Sequence, residues 1–128
     1  MIKTVNIVIK NKKGQYLLQF RDNNPGICNP LKWNFWGGDG EGSEDELEAS
    51  KRELEEETGI IAEKSDFEVI GTINWEDKNV YLISYKKLIE WGEFTVLEGS
   101  GCGYFDQDDL LSIPASELFG DIVKKFIK

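Results

Sequence analysis

The stretch GDGEGSEDELEASKRELEEETGI, Gly38 to Ile60, decides how the chain folds and where its chemistry lies. Leu47, Ser50 and Leu54 recur at helical spacing and share one side, so the stretch reads as a helix with that side against a core. Ser43 followed three residues later by Glu46 reads as its capping box, and Gly59 suits the left-handed position just past the last turn. At about 100° per residue, Glu56 and Glu57 fall on opposite sides of Glu53, and the three carboxylates share an arc of about 100°. Like charges at these spacings each weaken an isolated helix by about 0.2–0.5 kcal/mol, so an uncompensated triplet is a local fault. A hard divalent cation would remove it. Magnesium takes oxygen ligands and is usually held by few carboxylates together with substrate phosphates, which suits Glu53, Glu56 and Glu57.

The rest of this helix sorts by the same geometry. Ala49 lies on the acidic arc one turn before Glu53 and offers almost no side chain above the place where an ion would sit. Glu48, Lys51 and Glu55 fall mainly on the far side, where charges are solvated. Of the 15 basic residues only Arg21 and Arg52 are arginines. Arg52 stands four residues before Glu56, and its planar fork can hold two carboxylates at once, so an orienting role is assigned to it. Glu44 is expected to bind backbone or Arg52 near the helix start.

Upstream, Trp33 to Trp36 reads as a short strand, and Gly37, Gly38, Gly40 and Gly42 as a flexible loop whose backbone can approach a ligand closely. A carbonyl of Gly37 or Gly38 is a candidate to complete the metal shell. Further upstream, Val5, Ile7 and Ile9 alternate along TVNIVIK, and with QYLLQF after the Lys13-Gly14 turn they read as a hairpin. Arg21 to Lys32 carries Pro25, Gly26 and Pro30 and reads as a loop. Downstream, Phe67 to Trp75 and Val80 to Lys86 read as strands broken at Glu76 to Asn79, with further strands near Phe94 to Leu97 and Gly103 to Phe105. Asp106 to Leu111 reads as a turn of helix. Ala115 to Ile127 reads as an amphipathic closing helix with Leu118, Ile122, Val123 and Phe126 inward.

Written as a pattern, the opening stretch is G-x5-E-x7-R-E-U-x-E-E-x-G-U, with U a bulky aliphatic. Gly38, Glu44, Arg52, Glu53, Leu54, Glu56, Glu57, Gly59 and Ile60 fill it. In this the chain resembles the Nudix hydrolases. The resemblance implies an α/β/α sandwich with a mixed central sheet, over a single domain spanning residues 1–128. It also implies Mg²⁺-dependent hydrolysis, with Mn²⁺ a substitute, of the diphosphate linkage in a nucleoside diphosphate derivative. Small size leans toward a nucleoside triphosphate cleaved to monophosphate and pyrophosphate, damaged nucleotides included; nucleotide sugars and dinucleoside polyphosphates stay open as alternatives. Metal binding falls to Glu53, Glu56 and Glu57, and proton abstraction to Glu53 or Glu98, since Glu98 in LEGSG resembles the downstream acidic residue many Nudix enzymes add. Nudix sequences commonly carry proline where Trp36 stands, so the pocket wall is expected to differ here. Trp33 or Trp36 is a candidate to stack on a base and Arg21 to grip a phosphate. Many relatives pair, so a homodimer is among the states the resemblance allows.

Composition bounds the alternatives. The 128 residues, 40% hydrophobic and 12% aromatic, suffice for one real core. A formal charge of −9 argues against duplex nucleic acid or an anionic membrane as partner, and an acidic protein acting on a polyanion needs a metal between them. Met1 leads directly into an alternating stretch without a signal segment, so a cytoplasmic location is expected. In that compartment Cys28 and Cys102 are expected to be reduced thiols. The sequence holds no histidine, which excludes Ser/His and histidine-metal chemistry and leaves base work to a carboxylate. It also speaks against a Nudix-fold isomerase of prenyl diphosphates, which would need a histidine metal set. A binding module retaining the acidic face without turnover is the remaining rival.

Overall fold

A computed structural model describes residues 1–21, 31–99 and 101–128. The element order is β1 (Ile2–Val8), β2 (Tyr16–Phe20), β3 (Trp33–Asn34), β4 (Trp36–Asp39), α1 (Glu46–Thr58), β5 (Phe67–Trp75), β6 (Lys78–Tyr85), β7 (Gly101–Phe105) and α2 (Glu117–Phe126). Single 3₁₀ turns lie at Lys64–Asp66 and Gln107–Asp109. Four strands form a mixed sheet in the order β4-β1-β6-β5, with β1 parallel to β6 and the other pairs antiparallel. A smaller antiparallel sheet runs β3-β2-β7.

Period-two alternation sends each strand's apolar side chains to two cores. Val5, Ile7 and Ile9 of β1 and its extension pack with Leu17, Trp36, Ile83, Ala49 and Leu54 under α1. Val8, Leu18, Phe35, Val80 and Leu82 pack with Phe119, Ile122 and Val123 under α2. The expected α/β/α sandwich with its mixed sheet is therefore present. Among the described residues no helix is long and apolar enough to cross a membrane.

Several local expectations are corrected. The stretch read as a hairpin does turn at Asn11–Gln15, where the Asn11 N–H donates to Gln15 O, but β1 and β2 then diverge into different sheets. The strand expected at Trp33–Trp36 is split at Phe35: β3 joins the small sheet and β4 the mixed one, with the Phe35 N–H taken by Asn34 Oδ1. Gly37 and Gly38 are not loop but strand, paired with Asn6 and Val5. Phe94–Leu97 forms no strand. Leu118 and Phe126 are half-buried rather than core, and Phe119 takes the buried place, stacked on Phe35. The reading of Asp22 to Pro30 as loop lies outside the described residues, as does Cys28; Cys102 is a free thiol.

The helix cap sits two residues later than the first Ser-x-x-Glu suggests. Asp45 is the N-cap, its Oδ1 accepting from the Glu48 N–H at 2.7 Å while Glu48 Oε1 accepts from the Asp45 N–H at 3.2 Å. Gly59 closes the other end at φ +74°. Asp45→Ala should lower Tm by a few degrees whereas Ser43→Ala leaves it unchanged, both read by thermal unfolding. Equal effects would put the cap at Ser43.

Candidate active site

Glu53 and Glu57 lie one turn apart on the face that α1 presses against β1 and β4, and both are buried, Glu57 to 1% exposure. Glu56, the third carboxylate of the arc, points outward to solvent. Ala49 belongs to the core rather than to an open space above an ion, and a side chain added at Gly40 would reach its Cβ at 3.8 Å.

A buried carboxylate needs donors for its oxygens. Glu57 obtains one for each: the Gly37 N–H at 2.7 Å from Oε1 and Gln19 Nε2 at 2.8 Å from Oε2. It has no cationic partner among the described residues. Burial pushes its pKa up to about 8, against the opposing pull of these two donors, and the negative charges of Glu53 and Glu98 push the same way. Burial also raises Glu53, against the pull of Arg52, with Glu56 and Glu98 adding to the rise. Gly38 makes room for this arrangement, since a Cβ there would meet Glu53 Oε1 at 2.7 Å.

Arg52 gathers the remaining carboxylates. Its Nε and Nη2 hold Glu44 bidentately at 2.8 and 3.0 Å, Nη1 donates to Glu53 at 3.1 Å and to Glu56 at 3.3 Å, and Nη2 donates to Asp39 O at 3.1 Å. This pairing lowers the Glu44 pKa and raises that of Arg52. The expected Glu44–Arg52 contact is present in this geometry.

The segment before Glu98 is held at the end of α1 by backbone contacts. The C-terminal carbonyls of a helix have no intrahelical partners. Those of Glu57 and Thr58 accept from the N–H groups of Leu97 at 2.8 Å and Thr95 at 3.0 Å. The segment expected to be a strand thus docks on the end of α1, and exposed Glu98 bears electrostatically on both Glu53 and Glu57.

With Glu56 drawn to Arg52 and Glu57 to Gly37 and Gln19, no three acidic groups among the described residues stand close enough to hold one ion as placed. The donor chemistry itself fits a hard cation: buried carboxylate oxygens, two of them on neighbouring turns, with one lone pair on each Glu57 oxygen still free of its protein donor.

On the α2 side of the same glycines lies a cavity of about 200 Å³, lined by Thr4, Asn6, Arg21, Asn34, Gly37, Gly38, Lys78 and Ser116, among others. Arg21 is therefore beside the site, and its Nε is buried without a hydrogen-bond partner among the described residues. Trp36 is fully buried with Nε1 donating to Leu17 O, so no face of its indole is open to a base. Trp33 is half-buried, packed between Phe20 and Phe105 at 4.9 and 4.7 Å, and does not line the cavity. Sequence reasoning missed Gln19, Asn6, Asn34 and Lys78. For Gln19 a signal existed: a polar residue inside the apolar strand YLLQF.

An acidic helix packs behind a glycine strand whose other side faces a cavity, all within an α/β/α sandwich. A family model of the NUDIX domain matches residues 2–116, and the chain belongs to the Nudix family as a pyrophosphohydrolase of that type. A MutT structure described for Aliivibrio salmonicida and Vibrio cholerae is similar at 24% identity and a TM-score of 0.80, covering 98% of this chain and 96% of that one. The MutT protein of Methanosarcina mazei is similar at 26% identity and 0.78, covering 98% and 91%. A Caenorhabditis elegans Ap4A hydrolase shares the fold at 22% identity and 0.70, covering 98% and 95%. No curated protein matches.

Glu57 gives a pH signature. Its folded pKa of about 8 lies above the ordinary 4.5, so between these values the folded state holds a proton the unfolded chain has lost. Stability from this group is therefore complete below about pH 4.5 and is lost as pH rises through about 8. In metal-chelated protein, Tm of the parent should fall relative to Glu57→Gln from pH 5 to pH 8.5. Parallel curves would show that Glu57 titrates normally.

Proposed function

We propose that the protein hydrolyses the diphosphate linkage of a nucleoside diphosphate derivative with Mg²⁺, or Mn²⁺ in its place. The favoured substrate class is a nucleoside triphosphate, released as monophosphate and pyrophosphate. The observation that carries this reading is the placement of buried Glu53 and Glu57 on one side of Gly37 and Gly38, with a polar cavity on the other. A cavity of about 200 Å³ suits one compact nucleoside group better than a dinucleoside, and the likeness to MutT proteins supports the same choice.

Glu53, Glu56 and Glu57 would hold the ion, Glu56 by leaving Arg52, with a carbonyl of Gly37 or Gly38 completing the shell. When bound, the metal supplies neutralisation of charge developing on the phosphoryl group. Arg52 keeps Glu53 in place while its bidentate bond fixes Glu44. Arg21, on the cavity wall, supplies positive charge toward phosphate oxygens, while Lys78 on the same wall is paired with Asp39 at 3.5 Å. Water attacks phosphorus, the bridging P–O bond breaks with its oxygen kept by the departing phosphate group, and the water's proton passes to Glu98 or Glu53. Residues 1–128 act as one Nudix unit. A cytoplasmic location belongs to the same proposal.

The test is a panel of nucleoside triphosphates, nucleotide sugars and dinucleoside polyphosphates with purified protein and Mg²⁺, scored for pyrophosphate and monophosphate. Turnover of triphosphates that chelation abolishes is expected. Tight binding without turnover of any compound would favour the binding-module reading, and faster cleavage of the dinucleotides would replace the substrate class.

A further inference from the structure

Gln19 lies on β2, the central strand of the small sheet, with Asn34 on one side and Cys102 on the other, so its backbone is fixed from both edges. Its side chain is 2% exposed and makes three contacts that matter. Nε2 donates to Glu57 Oε2 at 2.8 Å and lies 3.4 Å from Phe35 O. On the other face of the amide, Oε1 abuts Gly99, where a Cβ would stand 3.3 Å from it and 2.9 Å from Phe20 O. The amide orientation follows from chemistry: the Phe35 carbonyl only accepts, as does Glu57 in the ionised form that would hold a metal, so the NH₂ faces both.

We infer that Gln19 is the positioning residue that sets the Glu57 carboxylate for the metal and seats the Glu98–Gly99 turn against it. The inference rests on the reading of Glu57 as a ligand and goes beyond it, because Gln19 touches neither ion nor substrate. Two donors on separate oxygens fix both the rotation and the depth of the Glu57 carboxylate. The Gly37 N–H is one and belongs to a strand that cannot move independently of β1. Gln19 is the other, and it is the donor that a side-chain substitution can remove. Partners that orient ligands in this way typically carry about 10–100-fold in metal affinity. Gln19 joins two sequence regions: α1 through Glu57, and the segment bearing Glu98 through Gly99, whose φ of +89° and contact with Phe20 O already exclude a side chain.

The experiment compares the parent, Gln19→Met and Gln19→Asn in the full chain. Methionine keeps the length and removes the donor; asparagine keeps the amide and draws it back by a methylene. Mn²⁺ dissociation constants are read by electron paramagnetic resonance of the free ion, independently of turnover, with Tm as the check on folding. Both variants should bind Mn²⁺ about 10–100-fold more weakly and lose kcat with KM for a nucleoside triphosphate changed less than threefold. In a Glu57→Gln background, Gln19→Met should weaken Mn²⁺ binding by less than threefold, since the group it acts through is already altered. A folded Gln19→Met with the parent's Mn²⁺ affinity and kcat overturns the inference, as does an equal loss with and without Glu57. If methionine prevents folding, the asparagine variant decides by the same readings. A parent that binds no Mn²⁺ overturns the metal reading itself, an outcome distinct from failure at Gln19.

Discussion

Glu57→Gln should reduce hydrolysis of the best substrate by about 10³-fold or more while raising Tm at pH 8 in metal-free protein. The first half follows from the loss of a charged oxygen donor, since metal stabilisation of phosphoryl charge is worth several kcal/mol, and about 1.4 kcal/mol is tenfold in rate. The second half follows from burial. At 1% exposure and with no cationic partner among the described residues, an ionised Glu57 is held at a cost, and burial raises its pKa to about 8. Glutamine removes that charge, fills the same volume and still offers an oxygen to the Gly37 N–H, with the Gln19 amide turning its oxygen toward the new NH₂. Opposite movements of activity and stability in one substitution are the mark of a residue retained for function. Parallel loss of both would show that the carboxylate serves the fold, and unchanged turnover would remove it from the reaction. Steady-state kinetics with Mg²⁺ and thermal unfolding in chelator provide the two readings.

Gly37→Ala should unfold the protein or lower its stability by more than about 3 kcal/mol. A Cβ at this position would stand 2.0 Å from Val5 O, and φ is +134°, a backbone conformation that side chains scarcely tolerate. The obstacle is backbone of β1, in the interior of the mixed sheet, so neither partner can swing away. Relief would require β4 to leave β1, taking the N–H that Glu57 uses with it. Gly42→Ala is the matched control: its φ is +54° with nothing within 4 Å of the added carbon, and it should cost about 1–2 kcal/mol. Chemical denaturation of the two variants gives the comparison. Similar midpoints would mean that β4 accommodates a side chain and that its register with β1 is looser than drawn.

Local geometry made the acidic helix legible. Glu53, Leu54, Glu57 and Gly59 hold their places because helical periodicity is fixed by the backbone, whatever surrounds it. The start was misplaced because acidic residues repeat there: Ser43-x-x-Glu46 and Asp45-x-x-Glu48 are the same signal two residues apart, and only the capping bonds decide between them. Strand identity was mostly readable from alternation, but sheet membership was not. Nothing local in Trp33–Trp36 says that the chain changes sheets at Phe35, which buries Trp36 and removes it from any ligand. The cavity was illegible for a related reason: Asn6, Arg21, Asn34, Lys78 and Ser116 come from five separate places in the chain. Phe94–Leu97 carries a strand-like composition, yet its amides are claimed by the end of α1. Gln19 was overlooked because its partner lies 38 positions away.

The bond from the Leu97 N–H to Glu57 O ties the segment before Glu98 to the residue proposed as a metal ligand. Amide-to-carbonyl tethers ignore what the side chains are. Inserting or deleting a residue between this anchor and Glu98 would therefore displace the carboxylate, whereas a change of side chain at exposed Thr95 would leave its own tether to Thr58 O intact.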